Sequence, residues 1–139
     1  MARTARKLKS IRGSLAEEAR PFVHDEIVKG IPAKRVKELI DRGVLDAKRV
    51  YRIIPERTFN RRLANREMLK LSEADAISRL LRLTEIAVEA FGDADFARRY
   101  LSLPNPTLGH KIPLDLAATD SGAREVEAAI SRFAHGDYV

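Results

Sequence analysis

Apolar residues recur every three or four positions through most of the chain, the spacing of helices. Pro32 stands where a first helical turn tolerates it, Val36, Leu39 and Ile40 follow at helical spacing, and Gly43 ends that helix. A second helix opens at Asp46, an N-cap residue type, with Val50, Ile53 and Ile54 on one side and Lys48, Arg49 and Arg52 on the other, and stops at Pro55. A third begins near Glu56. Phe59 and Leu63 anchor it, which at 100° per residue turns Arg57 and Arg61 outward, with Thr58 and Asn60 beside them.

The longest periodic run follows. Ile77, Leu80, Leu81, Thr84, Ala87, Val88 and Phe91 predict a helix of some twenty residues, capped by Ser72 with Asp75 three positions on and closed by Gly92. Asp93 caps the next helix, where the spacing of Phe96, Ala97, Tyr100 and Leu101 predicts a buried face. LPNPTLGHKIP carries too many prolines and glycines for helix or strand and predicts a loop of defined course. Pro113 opens a helical turn, Thr119 to Gly122 reads as a loop, and a last helix sets Val126, Ala129, Ile130 and Phe133 inward before Gly136. Before Pro32 the pattern is weaker. Residues 1–13 read as a basic arm, and Ser14 to Lys29 as one or two short helices around Pro21.

The expectation is therefore an all-α protein of short helices, with a helix-turn-helix-like part near the N-terminus and a compact helical domain near the C-terminus, joined by a long central helix. The divisions expected are 1–30 for the basic arm and weak helical segment, 31–70 for the helix-turn-helix region and 71–139 for the second domain. With 45% hydrophobic and 33% charged residues in 139, the chain has apolar material for a core and charge for solubility.

Charge sharpens the division. Residues 1–70 hold 19 Lys and Arg against 9 Asp and Glu, a net of +10, whereas residues 71–139 hold 7 against 11, a net of −4. A basic half fits a polyanion, and an acidic half fits a different partner. Three short helices, the last carrying Arg57, Thr58, Asn60, Arg61 and Arg62 within six positions, suit DNA: arginine pairs with guanine edges, asparagine with adenine, other cations with phosphate. Lys48, Arg49 and Arg52 make the preceding helix a rival reader, and no glycine lies in the Ile54-Pro55 turn.

Catalytic chemistry finds no footing. The chain has no cysteine, and His24, His110 and His135 lack metal-ligand spacing, so neither a metal nor any cofactor is expected. No P-loop, GxGxxG or GxSxG motif occurs, and no nucleophile and base are paired. No apolar run reaches membrane-spanning length and no signal-like segment stands at the start, which gives the expectation of a cytoplasmic protein.

The landmarks Ala90-Phe91-Gly92, Ala97 to Leu101, Pro104-Asn105, Leu108-Gly109, Pro113-Leu114, Thr119, Gly122, Val126 and His135-Gly136 stand in an order that resembles the toxin-binding domain of Xre/MbcA/ParS-type antitoxins. RTFNRR, residues 57–62, is similar to a segment of the N-terminal domain in that group. The resemblance implies an all-α, dimeric protein that binds the operator of its own operon and grips a RES-domain toxin that consumes NAD or transfers ADP-ribose from it, covering the toxin's NAD pocket. Carried onto this chain, it implies toxin contacts at Pro104, Asn105, Leu108, Gly109, His110 and Lys111 and at His135, Gly136, Asp137, Tyr138 and Val139. Two positions depart from the pattern: Tyr100 stands where relatives often have tryptophan, and His110 where they have a second glycine. The competing expectation is a stand-alone helix-turn-helix regulator whose C-terminal half only dimerises.

Overall fold

A computed structural model describes residues 15–136, and in that span every regular element is a helix. Two compact units emerge, one made of Pro21–Leu81 and the other of the described residues up to Arg20 and from Arg82 onward.

In the first unit α1 (His24–Lys29) is followed by α2 (Ala33–Asp41), α3 (Ala47–Ile53) and α4 (Glu56–Ala64). Pro32 caps α2 in extended conformation, one position outside the helix, so its missing N–H costs no bond. Arg42 and Gly43 turn the chain out of α2, and the Val44 N–H reaches back to the Leu39 carbonyl at 2.9 Å. Asp46 caps α3 by accepting from the Lys48 N–H at 3.3 Å. The connection from α3 to α4 is only Ile54 and Pro55. It is short because Ile54 is fully buried and extended, an anchor that draws the chain inward before Pro55 starts the next helix.

Val36, Val50, Ile54 and Phe59, each essentially inaccessible, form the centre of this unit together with Ile31 and Ile77. α2 packs on α4, and the rings of Tyr51 and Phe59 meet at 6.1 Å to hold α3 to α4. After α4 the chain passes beside the start of α2: the Leu69 N–H donates to the Ile31 carbonyl at 2.8 Å, and Pro32 and Met68 form an isolated bridge. At the other edge, Arg35 lies 4.7 Å over the Phe22 ring and pairs with Glu26.

α5 spans Leu71–Phe91, and its residues up to Leu81 belong to the first unit and those from Arg82 to the second. Its start differs from expectation. Ser72 lies inside the first turn, and the capping is done by Glu73, whose carboxylate accepts from the Lys70 N–H at 2.7 Å. A carboxylate three residues into a helix reaches the N-cap N–H more strongly than a hydroxyl one residue earlier can. Asp75 instead pairs with Arg79 one turn on.

In the second unit α6 (Ala94–Ser102) is capped by Asp93, which accepts from the Phe96 N–H at 3.0 Å. A 3-10 turn at Pro106–Leu108, α7 (Pro113–Leu116) and α8 (Asp120–Ala134) follow. α7 packs on α6 and on α8. Thr119 caps α8 by accepting from the Gly122 N–H at 2.9 Å, so the loop expected over Thr119 to Gly122 is a cap and the first turn of a helix. Gly122 is required by contact rather than by flexibility, since a Cβ there would sit 2.0 Å from the Leu116 carbonyl oxygen. Leu83, Ala87 and Val88 of α5, Ala97 and Leu101 of α6, and Val126 and Ile130 of α8 supply buried apolar surface. Arg82 adds a polar tie from α5 to α8, its Nε 2.7 Å from Glu127 Oε1.

Candidate functional site

Two surfaces carry the residues singled out by the sequence, one in each unit. On α4, Phe59 faces the interior and Leu63 is half-buried, which leaves Arg57, Asn60 and Arg61 exposed on one helical face, Thr58 being half-buried beside them. On α3, Lys48 and Arg52 are exposed and Arg49 is half-buried. The buried turn at Ile54 joins these helices, giving a basic helix-turn-helix whose second helix bears two guanidinium groups and a carboxamide within one turn and a half.

Arg62 departs from this group. It is only 6% exposed, and its guanidinium is bound to Glu73 of α5, whose side chain is also nearly buried. The physical reason is angular: Arg62 follows Phe59 by three positions and so shares the inward face. A buried arginine needs a carboxylate, and the α5 cap residue supplies it. The sequence held this signal in the spacing from Phe59, but Arg62's place in a run of cations masked it.

In the second unit the loop between α6 and α7 is closed by its own backbone. The Asn105 N–H donates to the Lys111 carbonyl at 3.0 Å, and the His110 N–H returns to the Asn105 carbonyl at 2.9 Å. Asn105 Oδ1 accepts from both the backbone and the hydroxyl of Thr107, at 2.9 and 2.7 Å. Gly109 and His110 both take left-handed conformations, with φ of +65° and +61°, and the turn demands this in spite of the Cβ of His110. The product is a small self-bonded loop in which Gly109, His110 and Lys111, with Pro104 just before it, are exposed and Asn105 and Leu108 half-buried. A depression of about 450 Å³ on one side of it is lined by Leu108, Lys111, Glu125 and Arg132.

His135 and Gly136 are exposed at the end of α8, and His135 Nδ1 lies 2.7 Å from the Ser131 carbonyl. Asp137, Tyr138 and Val139 fall outside the described residues. Among the described residues no cluster of three His, Cys, Asp or Glu side chains is placed to hold a metal, and no helix is long and apolar enough to cross a membrane.

The aromatic residues expected inside are placed otherwise. Phe96, Tyr100 and Phe91 are each half-buried, and Phe133 is 37% exposed. In α6 it is the small Ala97 and Leu101 that are sealed.

Comparison with known proteins matches both parts of the chain. Residues 87–136 fit the family model described as the antitoxin Xre/MbcA/ParS C-terminal toxin-binding domain, and residues 22–82 fit that of the antitoxin Xre-like helix-turn-helix domain. The chain is 32% identical over 114 residues to an antitoxin Xre of Pseudomonas putida, an alignment that covers 82% of this chain and 72% of that one. It is 37% identical over 84 residues to an antitoxin Xre of Yersinia enterocolitica, covering 60% and 57%, and 29% identical over 119 residues to one of Photorhabdus laumondii, covering 84% and 80%.

Proposed function

This chain belongs to the Xre antitoxin family, and from that premise we propose that it neutralises a RES-domain toxin by covering the toxin's NAD-binding pocket and represses its own operon through α3 and α4. It acts by occupation, with no turnover, cofactor or metal of its own. The observation that carries the reading is the self-closed loop of residues 105–111 within the toxin-binding domain. A segment whose backbone bonds are already made loses little conformational freedom on docking, so its exposed His110 and Lys111, with Pro104 just before them, can be pressed into a partner's cleft at small entropic cost. Asp137 lies close in sequence to this domain's last helix and offers a carboxylate to cations that otherwise hold the pyrophosphate of NAD.

The second helix of the helix-turn-helix, α4, is the reader in this proposal. Arg57, Asn60 and Arg61 reach base edges, while Lys48 and Arg52 of α3 meet phosphate. The protein works in the cytoplasm as a homodimer, since paired readers match the two-fold symmetry of an operator.

The test is NAD consumption by the protein encoded beside this one, with and without an equimolar amount of this chain. The expected result is NAD loss that this chain stops, with the two proteins eluting together. A neighbour that neither uses NAD nor elutes with this chain would sink the toxin assignment.

A further inference from the structure

Four aromatic rings gather in the second unit. Phe91 lies at the centre, with Phe96, Tyr100 and Phe133 at centroid distances of 5.0, 4.9 and 5.1 Å, mostly edge to face. Phe133 also meets Phe96 and Tyr100 at 5.6 Å. Aromatic residues in such a cluster are commonly covered, yet here all four remain partly exposed. Next to it α6 ends, and Leu103 follows at 57% exposure. Phe96, Arg99, Tyr100 and Leu103 line a pocket of about 390 Å³ together with Pro104 to Pro106 of the following loop.

Charge around this pocket runs against its surroundings. Residues 71–139 carry a net charge of −4, but the helix that walls the pocket presents Arg98 and Arg99 toward its C-terminal end, with only Asp95 opposing them. The combination of rings held in place by one another, an exposed leucine and an adjacent guanidinium matches the composition of binding hot spots. There a few aromatic and arginine side chains, already ordered, supply most of the affinity.

We propose that this pocket is the anchor for the toxin: it receives one bulky apolar side chain of the toxin, flanked by a toxin carboxylate that meets Arg99. The inference rests on the antitoxin reading and adds to it a second grip, which shares Asn105 and Pro106 with the start of the loop of residues 105–111. The loop enters the partner, and the pocket is entered by it. Aromatic contact supplies the affinity, and the carboxylate sets the direction in which the apolar side chain approaches.

The experiment is titration calorimetry of the full chain against the purified neighbouring protein, with unfolding midpoints measured in parallel. Leu103→Asp should weaken binding by about thirtyfold, the scale of losing a hot-spot residue, with the midpoint unmoved because Leu103 is exposed. Arg99→Glu should weaken it by about tenfold and reverse its response to added salt. Leu71→Asp, the same change at a leucine 61% exposed in the other unit, should bind as the unaltered chain does. A folded Leu103→Asp protein that keeps full affinity overturns the pocket assignment while leaving the antitoxin reading intact. So does a Leu71→Asp protein that loses as much. If Leu103→Asp instead breaks up an oligomer of this chain and leaves toxin affinity unchanged, the occupant is a second copy and the proposal fails. Absence of binding by the unaltered chain defeats both readings together.

Discussion

Arg61 and Arg62 are adjacent and chemically identical, and they have opposite fates: one is in water, the other sealed against Glu73. A buried ion pair is worth little compared with an apolar pair of its shape, but half of one is costly. Arg62→Ala should therefore lower stability by about 3–5 kcal/mol, read as a reduced urea midpoint with an unchanged slope. Arg62→Met combined with Glu73→Gln should recover most of that, because the glutamine still accepts from the Lys70 N–H and no charge is left alone. Glu85 offers a second test. Burial first, and repulsion by Glu89 second, push its carboxyl above the ordinary value of 4.5, with Arg20 pulling the other way. A carboxyl raised in the folded state favours folding once protonated and opposes it once ionised, so its contribution is complete below 4.5 and disappears as pH climbs through the raised value. Glu85→Gln should raise the unfolding midpoint at pH 7, and the difference from the unaltered chain should vanish by about pH 4.

The elements most legible in the sequence were those whose ends are marked by residues with one physical use. Asp46 and Asp93 cap helices where their spacing indicated, and Gly109 takes a left-handed conformation in a loop dense with prolines. What spacing could not show was which of several inward positions is sealed. Phe96 and Tyr100 share a face with Ala97 and Leu101, yet only the smaller pair is covered, because depth depends on the neighbouring helix and not on period. Gly122 was misread for a related reason. A glycine closing a Thr-Asp-Ser run signals a turn, whereas a glycine demanded by a carbonyl six residues earlier in the chain gives no local sign. Gly122→Ala would put a methyl group against the Leu116 backbone, which has no flexible end to move aside. The expected outcome is loss of the α7–α8 contact, seen as early hydrogen exchange of α8 amides and a drop of several degrees in the unfolding midpoint.

At the scale of the whole molecule, the sequence divides its charge between a half at +10 and a half at −4, and the two family matches, residues 22–82 and 87–136, follow much the same division. Two partners of unlike chemistry can then be addressed by one chain. Arg57→Ala with Arg61→Ala should weaken operator binding by about 1–3 kcal/mol for each arginine and relax its sequence preference, without change in toxin affinity. A shift measured against a duplex selected from random sequence would check the first, and calorimetry the second. The loop of residues 105–111 has a further consequence at this scale. Its path is set by its own backbone bonds and by the Asn105–Thr107 pair, so the outward side chains at His110 and Lys111 take no part in fixing the backbone. Such a segment can exchange its outward residues without refolding. A bacterium carrying several related toxin pairs could keep them insulated from one another by altering those few positions, each antitoxin rejecting the wrong toxin through a misplaced charge or methyl group while the scaffold beneath stays the same.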